Sequence, residues 1–169
     1  MWKTYANILG QHTAGILGRV TDGGPFKIQL LDAPRERPIL ELAGRIDFDG
    51  HLDNGRKKVG GYLVCGTVHL KKMRPLLADI AVHMNLDPAI LETETGPQDI
   101  LDEFLNIVTG LTGADWAEHG FAIDFSPPQI LSGQALPAHL PDEQSFHVVV
   151  SALNGFQVDI LVAFNDRPR

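Results

Sequence analysis

Residues 97–110 have the sequence PQDILDEFLNIVTG, which is typical of an amphipathic helix. Pro97 suits the first turn of a helix, and Gly120 predicts that the helix ends close to residue 119. Successive helical side chains are rotated by about 100° around the axis. Four positions therefore fall within about 60° of one another, and they are Asp99, Glu103, Asn106 and Gly110. We call these four residues the polar stripe.

The back of this helix is apolar, and we expect it to be buried against the protein. The apolar positions are Ile100, Leu101, Phe104, Leu105, Ile107, Val108 and Leu111. Two interpretations of the polar stripe are open. A solvated helix start explains Asp99 and Asp102, because the helix dipole favours acids near the N-terminus. A functional surface explains Asn106, because asparagine is a poor residue in the middle of a helix.

The periodicity elsewhere predicts a mixture of helices and antiparallel strands. Helices are predicted at residues 4–18 and 71–86, and strands at residues 26–31, 39–48, 58–70, 121–125, 144–153 and 156–164. Asn54-Gly55 and Asn154-Gly155 are hairpin turn signals, and Pro127-Pro128 end or interrupt the strand before them. The predicted fold class is α+β, with an antiparallel β-sheet covered by helices on one side.

The composition fits one folded domain spanning residues 1–169. The chain carries 21 acidic and 14 basic side chains, for a net charge of −7, which speaks against general nucleic-acid binding. Apolar runs are too short to insert into a membrane, and residues 1–19 lack the uninterrupted apolar region of a signal peptide. The one cysteine, Cys65, lies in an apolar run and is interpreted as a core residue, so we expect a cytoplasmic protein.

Several common catalytic motifs are absent from the sequence. There is no phosphate-binding P-loop, no dinucleotide-binding glycine motif and no nucleophile elbow. The seven histidines lack the spacing and the cysteine partners of a zinc site, so we expect no metal ligands in this chain.

The polar stripe and the later prolines resemble the active-site signature of the CheC/CheX phosphatases of bacterial chemotaxis. In that signature an aspartate or serine is followed by a glutamate, an asparagine and a distant proline. The matching positions here are Asp99, Glu103 and Asn106, with Pro127 and Pro128 lying 21 and 22 residues after the asparagine, slightly short of the usual spacing. The resemblance covers about residues 71–164 and is weak before residue 40. A single complete signature makes the chain most similar to the CheX-like proteins.

The resemblance implies a phosphatase that hydrolyses the aspartyl phosphate of a response-regulator receiver domain of the CheY type. The receiver supplies Mg²⁺ and a lysine, so this chain needs no cofactor of its own and has only to place a water molecule in line. Asn106 would orient that water, and Glu103 would reach the receiver lysine. Asp99 would be either a helix-start cap or a contact at the rim of the receiver, and Pro128 or Pro127 would shape the neighbouring loop.

Two other functions remain open at this stage. One is a CheX-like module that docks receiver domains or other signalling proteins without catalysis, and the other is a small-molecule sensor.

The first helix contains an echo of the signature, that is, a partial repeat of it. Residues 5–9 resemble residues 104–108, with Asn7 in the place of Asn106 and Thr4 in the place of Glu103. Without the acid we assign this echo no activity.

We also expect a homodimer. The related single-signature proteins pair through sheet edges, and the long apolar strands of the C-terminal hairpin would be a liability if they were left exposed.

Overall fold

The computed structural model describes residues 1–22, 24–32, 38–53, 55–136, 143–153 and 157–166. The helices are α1 (Trp2–Val20), α2 (Leu70–His83) and α3 (Gly96–Glu118), with a short 3₁₀ helix at Pro88–Glu92. The strands are β1 (Phe26–Asp32), β2 (Leu42–Leu52), β3 (Lys57–Thr67), β4 (Phe121–Phe125), β5 (Gln129–Ile130), β6 (Glu143–Ala152) and β7 (Gln157–Asp166).

The seven strands form one antiparallel sheet in the order β1-β6-β7-β3-β2-β4, and β5 pairs with β2 beside β4. The three helices pack on one face of this sheet and form the main hydrophobic core with it. The predicted α+β class, with helices on one side of an antiparallel sheet, is therefore confirmed.

Alternating side chains place the core on one face of each strand. In β7 the inward side chains are fully or almost fully buried, and they are Val158, Ile160, Val162 and Phe164. The strands β2 and β3 form the predicted hairpin, with Leu42 opposite Thr67 and Leu52 opposite Lys57. The Asn154-Gly155 turn signal lies outside the described residues.

Aromatic side chains fill the core between α1, α3 and the sheet. The ring of Trp2 stacks on Phe164 with 4.6 Å between centroids, and the ring of Trp116 stacks on Phe121 at 5.4 Å. Cys65 is fully buried in the same core, as predicted. Burial, helped by the charge of Asp159, raises the pKa of the Cys65 thiol to about 12, so the side chain stays a neutral thiol at physiological pH.

Hydrogen bonds hold the C-terminal end of α3 against α1. The Trp116 indole Nε1–H donates to the backbone carbonyl of Tyr5 at 2.9 Å, and the Tyr5 hydroxyl donates to the carbonyl of His119 at 2.9 Å. His12 Nε2 lies 3.0 Å from Asp115 Oδ2 in the same region. These contacts fix the position of α3, so the face opposite α1 and the sheet has a defined orientation toward solvent.

In the described part of the chain, the second face of the sheet carries no helix and is partly covered by loop residues. A small apolar cluster there includes Leu40, Tyr62, Val64, Leu131 and Leu161. None of the helices in the described part of the chain is long and apolar enough to cross a membrane.

The C-terminal hairpin does not lie at an edge of the sheet, and this corrects one reason given for a homodimer. β6 is paired with β1 and β7 with β3, so both strands are interior and their backbone groups are already hydrogen-bonded. The sheet edges are instead formed by β1 on one side and by β4 with β5 on the other. The apolar character of the hairpin therefore reflects burial within the domain.

Candidate functional site

The polar stripe is exposed along α3, as its spacing predicts. Asp99, Glu103, Asn106 and Gly110 are all exposed to solvent. Within the described part of the chain, the side chains of Glu103 and Asn106 make no hydrogen bond or ion pair, although they are one helical turn apart on the same face. Both groups are therefore free to contact a partner molecule.

Asp99 has a local role at the start of the helix. Its Oδ2 accepts a hydrogen bond from the hydroxyl of Thr95, the N-cap residue of α3, at 3.0 Å. Asp99 is also the acidic residue in the first turn, where the helix dipole favours a negative charge. This contact fits the helix-start interpretation, while the carboxylate remains accessible for a contact at the rim of the site.

Pro127 and Pro128 lie in a break of the sheet next to β2. β4 ends opposite Phe48, and β5 resumes the pairing opposite Arg45 and Gly44. Between them the Asp47 N–H donates to the Ser126 hydroxyl at 3.0 Å, so the chain follows β2 across the break. We call residues 126–132 the proline segment.

Pro128 is half-buried and Pro127 is exposed. Among the described residues, no hydrogen bond joins Pro128 directly to Asp99, Glu103 or Asn106. The structure therefore brings together the acid and amide groups on α3. It places the proline segment along β2, the strand that α3 approaches at Gly44.

Asp102 borders the polar stripe on the side that faces β2. A Cβ atom added at Gly44 of β2 would lie 2.9 Å from Asp102 Oδ1 and 2.7 Å from Leu105 Cδ1, so the helix and the strand approach closely because this residue is glycine. Burial raises the pKa of the Asp102 carboxyl, the charge of Asp99 adds to the rise, and a hydrogen bond from Gln98 partly opposes it. The site thus contains a half-buried carboxylate that sequence analysis interpreted only as a solvated acid.

Two apolar residues of α3 were predicted to be buried and are exposed. Ile107 is 37% exposed and Leu111 is 40% exposed, whereas Ile100 and Phe104, which project from nearly the same side of the helix, are buried. The N-terminal half of α3 is therefore covered on this side, and the C-terminal half is not. Ile107 and Leu111 extend the exposed face of α3 with an apolar surface beside Asn106 and Gly110.

A concave pocket of about 290 Å³ lies on the second face of the sheet. Its lining includes Leu40, Val64 and Leu161, together with the hydrogen-bonded pair His147 and Asp159. The sheet separates this pocket from α3, so it is not part of the candidate site.

Within the described ranges, no group of three His, Cys, Asp or Glu side chains is placed to hold a metal ion.

Solved structures of chemotaxis proteins share this architecture over almost the whole chain. A chemotactic CheC-like protein from Shewanella oneidensis MR-1 is 17% identical, with 98% of this chain and 100% of that chain covered and a TM-score of 0.69. A chain of the CheX-CheY-BeF3-Mg²⁺ complex from Borrelia burgdorferi is 14% identical, with 96% and 98% covered and a TM-score of 0.68. The chain has the CheC/CheX fold.

A similar fold is found in one further solved structure. The FliM middle domain from H. pylori is 11% identical, with 98% of this chain and 89% of that chain covered and a TM-score of 0.54. No protein-family model and no curated protein sequence matches this chain. The CheC/CheX fold is therefore shown by structure, and a shared fold does not by itself determine the chemistry of the site.

Sequence analysis did not identify the polar residues that hold the proline segment against α3 and β2. Gln98 is almost fully buried, although it lies beside Asp99 in a helix that begins with polar residues. Ser126 and Ser132 flank the prolines and bond to β2. The sequence did contain a signal for Gln98, because it is a polar residue on the buried side of the helical pattern. It contained no signal for the two serines, because their hydrogen-bond partners are distant in sequence.

Proposed function

We propose that this chain is a CheX-like phosphatase that hydrolyses the aspartyl phosphate of a CheY-type receiver domain in chemotaxis signalling. The observation that carries the proposal is the exposed pair of Glu103 and Asn106 on α3, one turn apart and without partners among the described residues, in a chain with the CheC/CheX fold. The proposal includes membership of the CheC/CheX family and a cytoplasmic location.

The required chemistry is modest. An aspartyl phosphate is already reactive, and the receiver contributes Mg²⁺ and a lysine that stabilise the phosphoryl oxygens, so the partner mainly supplies orientation. The Asn106 carboxamide has one oxygen acceptor and an NH₂ donor. Its oxygen holds the attacking water while its NH₂ group contacts the phosphoryl group. The water oxygen bonds to phosphorus as the bond to the aspartyl oxygen breaks, and phosphate leaves.

Glu103 has a different role in this proposal. Its carboxylate lies one turn before Asn106 on the same exposed face, where it pairs with the receiver lysine and aligns the two proteins. Asp99 and Pro128 contribute to the rim of the docking surface. Ile107 and Leu111 add apolar contact area beside these polar groups.

The direct test is to mix the purified chain with phosphorylated receiver domains and Mg²⁺ and to follow the loss of labelled phosphate with time. We expect loss faster than that of the receiver alone. Prior treatment of the chain with a zinc chelator, followed by its removal, should leave the rate unchanged, because no metal ligand of this chain takes part. If the chain binds the receiver saturably and the rate of phosphate loss does not change, the phosphatase proposal is wrong and the docking module takes its place.

The docking module is the second candidate because the same fold occurs in a chain of the FliM-SpeE complex from H. pylori. Fold alone therefore does not select between catalysis and binding. Intact Glu103 and Asn106 side chains favour the phosphatase.

We further propose that the chain forms a homodimer through a sheet edge. The available edges are β1 and the pair β4 and β5, since the C-terminal hairpin is interior. Size-exclusion chromatography with light scattering at tens of micromolar should give twice the chain mass. A monomeric mass would remove the dimer from the proposal without affecting the phosphatase.

A further inference from the structure

A buried amide connects the polar stripe to the proline segment. Gln98 is only 7% exposed, and a buried carboxamide is costly unless both its ends are hydrogen-bonded. Its Nε2–H donates to Asp102 Oδ1 at 2.6 Å, and its Oε1 accepts from the Ser132 hydroxyl at 2.8 Å. The Gln98 side chain thus links Asp102, the residue before Glu103, to Ser132 at the end of the proline segment.

The Ser132 hydroxyl is held in the orientation that this connection needs. Its oxygen accepts a hydrogen bond from the Ala43 N–H of β2 at 2.9 Å. Its single proton has two acceptors nearby, and the Gln98 carbonyl at 2.8 Å is a better one than the Ala43 carbonyl at 3.4 Å. The Ala43 carbonyl already accepts from the Leu131 N–H at 3.0 Å.

The strand β2 contacts both of the elements that Gln98 and Ser132 connect, which are α3 and the proline segment. Gly44 of β2 contacts α3 at Asp102 and Leu105, and it pairs with Ile130 of the proline segment. β2 therefore contacts both α3 and the proline segment. The bond between Gln98 and Ser132 adds a direct lateral link between them.

We propose that Gln98 and Ser132 are positioning residues, whose hydrogen bond sets the placement of the polar stripe relative to the proline segment. This inference rests on the proposed phosphatase function. Gln98 is buried, so it acts through Asp102 and through the helix that carries Glu103 and Asn106. A receiver that contacts both α3 and Pro128 needs these two surfaces at a fixed separation, and small displacements in such a site lower the rate strongly.

The test uses the full chain with two changes that break the same bond from opposite sides. Gln98→Met keeps the size of the side chain without its polar atoms, and Ser132→Ala removes the hydroxyl near the surface. We expect each to lower kcat by about tenfold, with a smaller change in the Kd for a beryllofluoride-loaded receiver. The double variant should be no slower than the slower single variant, because both changes remove one interaction.

Two further variants separate positioning from general stability. Thr109→Val removes another buried side-chain hydrogen bond of α3, the one from the Thr109 hydroxyl to the Leu105 carbonyl at 2.8 Å, without touching the proline segment. It should lose stability and keep kcat. Ser132→Thr keeps the hydroxyl and should keep kcat close to that of the unmodified chain.

The outcomes distinguish this inference from the function on which it rests. If the unmodified chain accelerates dephosphorylation and the Gln98 and Ser132 variants match Thr109→Val in kcat, the positioning role is overturned and the phosphatase stands. Effects that multiply in the double variant also overturn it, because the two residues would then act independently. If the unmodified chain does not accelerate dephosphorylation, both proposals fall. If Gln98→Met does not fold, Ser132→Ala decides alone.

Discussion

The two long helices, α1 and α3, share a local pattern around an exposed asparagine, and they differ in what surrounds it. Residues 5–9 of α1 place Asn7 in solvent between buried neighbours, whereas in residues 104–108 of α3 the exposed Asn106 is followed by the exposed Ile107. The positions three and four residues earlier are Thr4 and Lys3 in α1, and Glu103 and Asp102 in α3.

The comparison separates what the fold requires from what the proposed chemistry requires. Both helices need apolar side chains on the face that packs on the sheet, and both have them. Only α3 has carboxylates beside its asparagine, and only α3 is hydrogen-bonded to the proline segment through a side chain in the described structure. The following changes test this difference, in order of decreasing effect.

The largest effect is expected where the two helices differ in burial. Ile8 of α1 is 6% exposed and corresponds to Ile107 of α3, which is 37% exposed. Ile8→Ala should therefore lower the free energy of unfolding by about 2–5 kcal/mol, because it leaves a cavity in the core. Ile107→Ala should change it by less than about 1 kcal/mol. Denaturant unfolding followed by circular dichroism measures both, and equal losses would contradict the assigned difference in packing.

The next effect concerns the two asparagines. Asn106→Ala should reduce accelerated dephosphorylation on the order of 100-fold, because the lost hydrogen bonds act mainly in the transition state. Receiver binding should persist. Asn7→Ala is the matched control, since Asn7 is also exposed, on a helix without the acid, and it should leave the rate unchanged. A rate that depends on Asn7 and not on Asn106 would move the active surface to α1.

A smaller effect is expected for the acid that precedes each asparagine. Glu103→Ala should weaken receiver binding by about tenfold at low ionic strength, and the loss should shrink as salt is added, because the contact is between exposed charges. Thr4→Ala, at the corresponding position of α1, should not change binding. Titration of a beryllofluoride-loaded receiver at two salt concentrations provides the measurement. A loss that is independent of salt would argue against a charge contact with the receiver lysine.

Most of the secondary structure and the polar stripe could be predicted from the sequence because their signals are local. Alternation of apolar residues identified β4 and β7, and the spacing of Asp99, Glu103 and Asn106 identified the exposed face of α3. These patterns depend only on neighbours within one or two turns or along one strand.

The remaining features depend on contacts between distant residues. The pairing of Phe26 with Ala152 puts the C-terminal hairpin inside the sheet, and no local pattern encodes it. The bond between Gln98 and Ser132 likewise joins residues 34 positions apart. The exposure of Ile107 and Leu111 depends on how far the neighbouring elements extend along α3, which a helical pattern does not contain.

The smallest effect is expected at Asp102, whose counterpart in α1 is the exposed Lys3. Burial raises the pKa of the Asp102 carboxyl in the folded chain. A carboxyl with a raised folded pKa binds its proton more tightly when folded, so it favours folding at low pH, and this contribution is lost as the pH rises through the folded pKa. At pH 7 the ionised Asp102 therefore opposes folding. Asp102→Asn removes this penalty and still accepts the Gln98 hydrogen bond, so it should raise the free energy of unfolding at pH 7.

The pH dependence identifies the origin of that gain. It should diminish as the pH falls through the raised pKa and disappear near the ordinary range of an aspartate, where the unmodified side chain is also neutral. Lys3→Gln is the control, and its effect should not follow this profile. Denaturant unfolding between pH 7 and pH 4 measures both variants. A gain for Asp102→Asn that is constant over this range would show that packing, and not the charge of the buried carboxylate, limits stability next to the polar stripe.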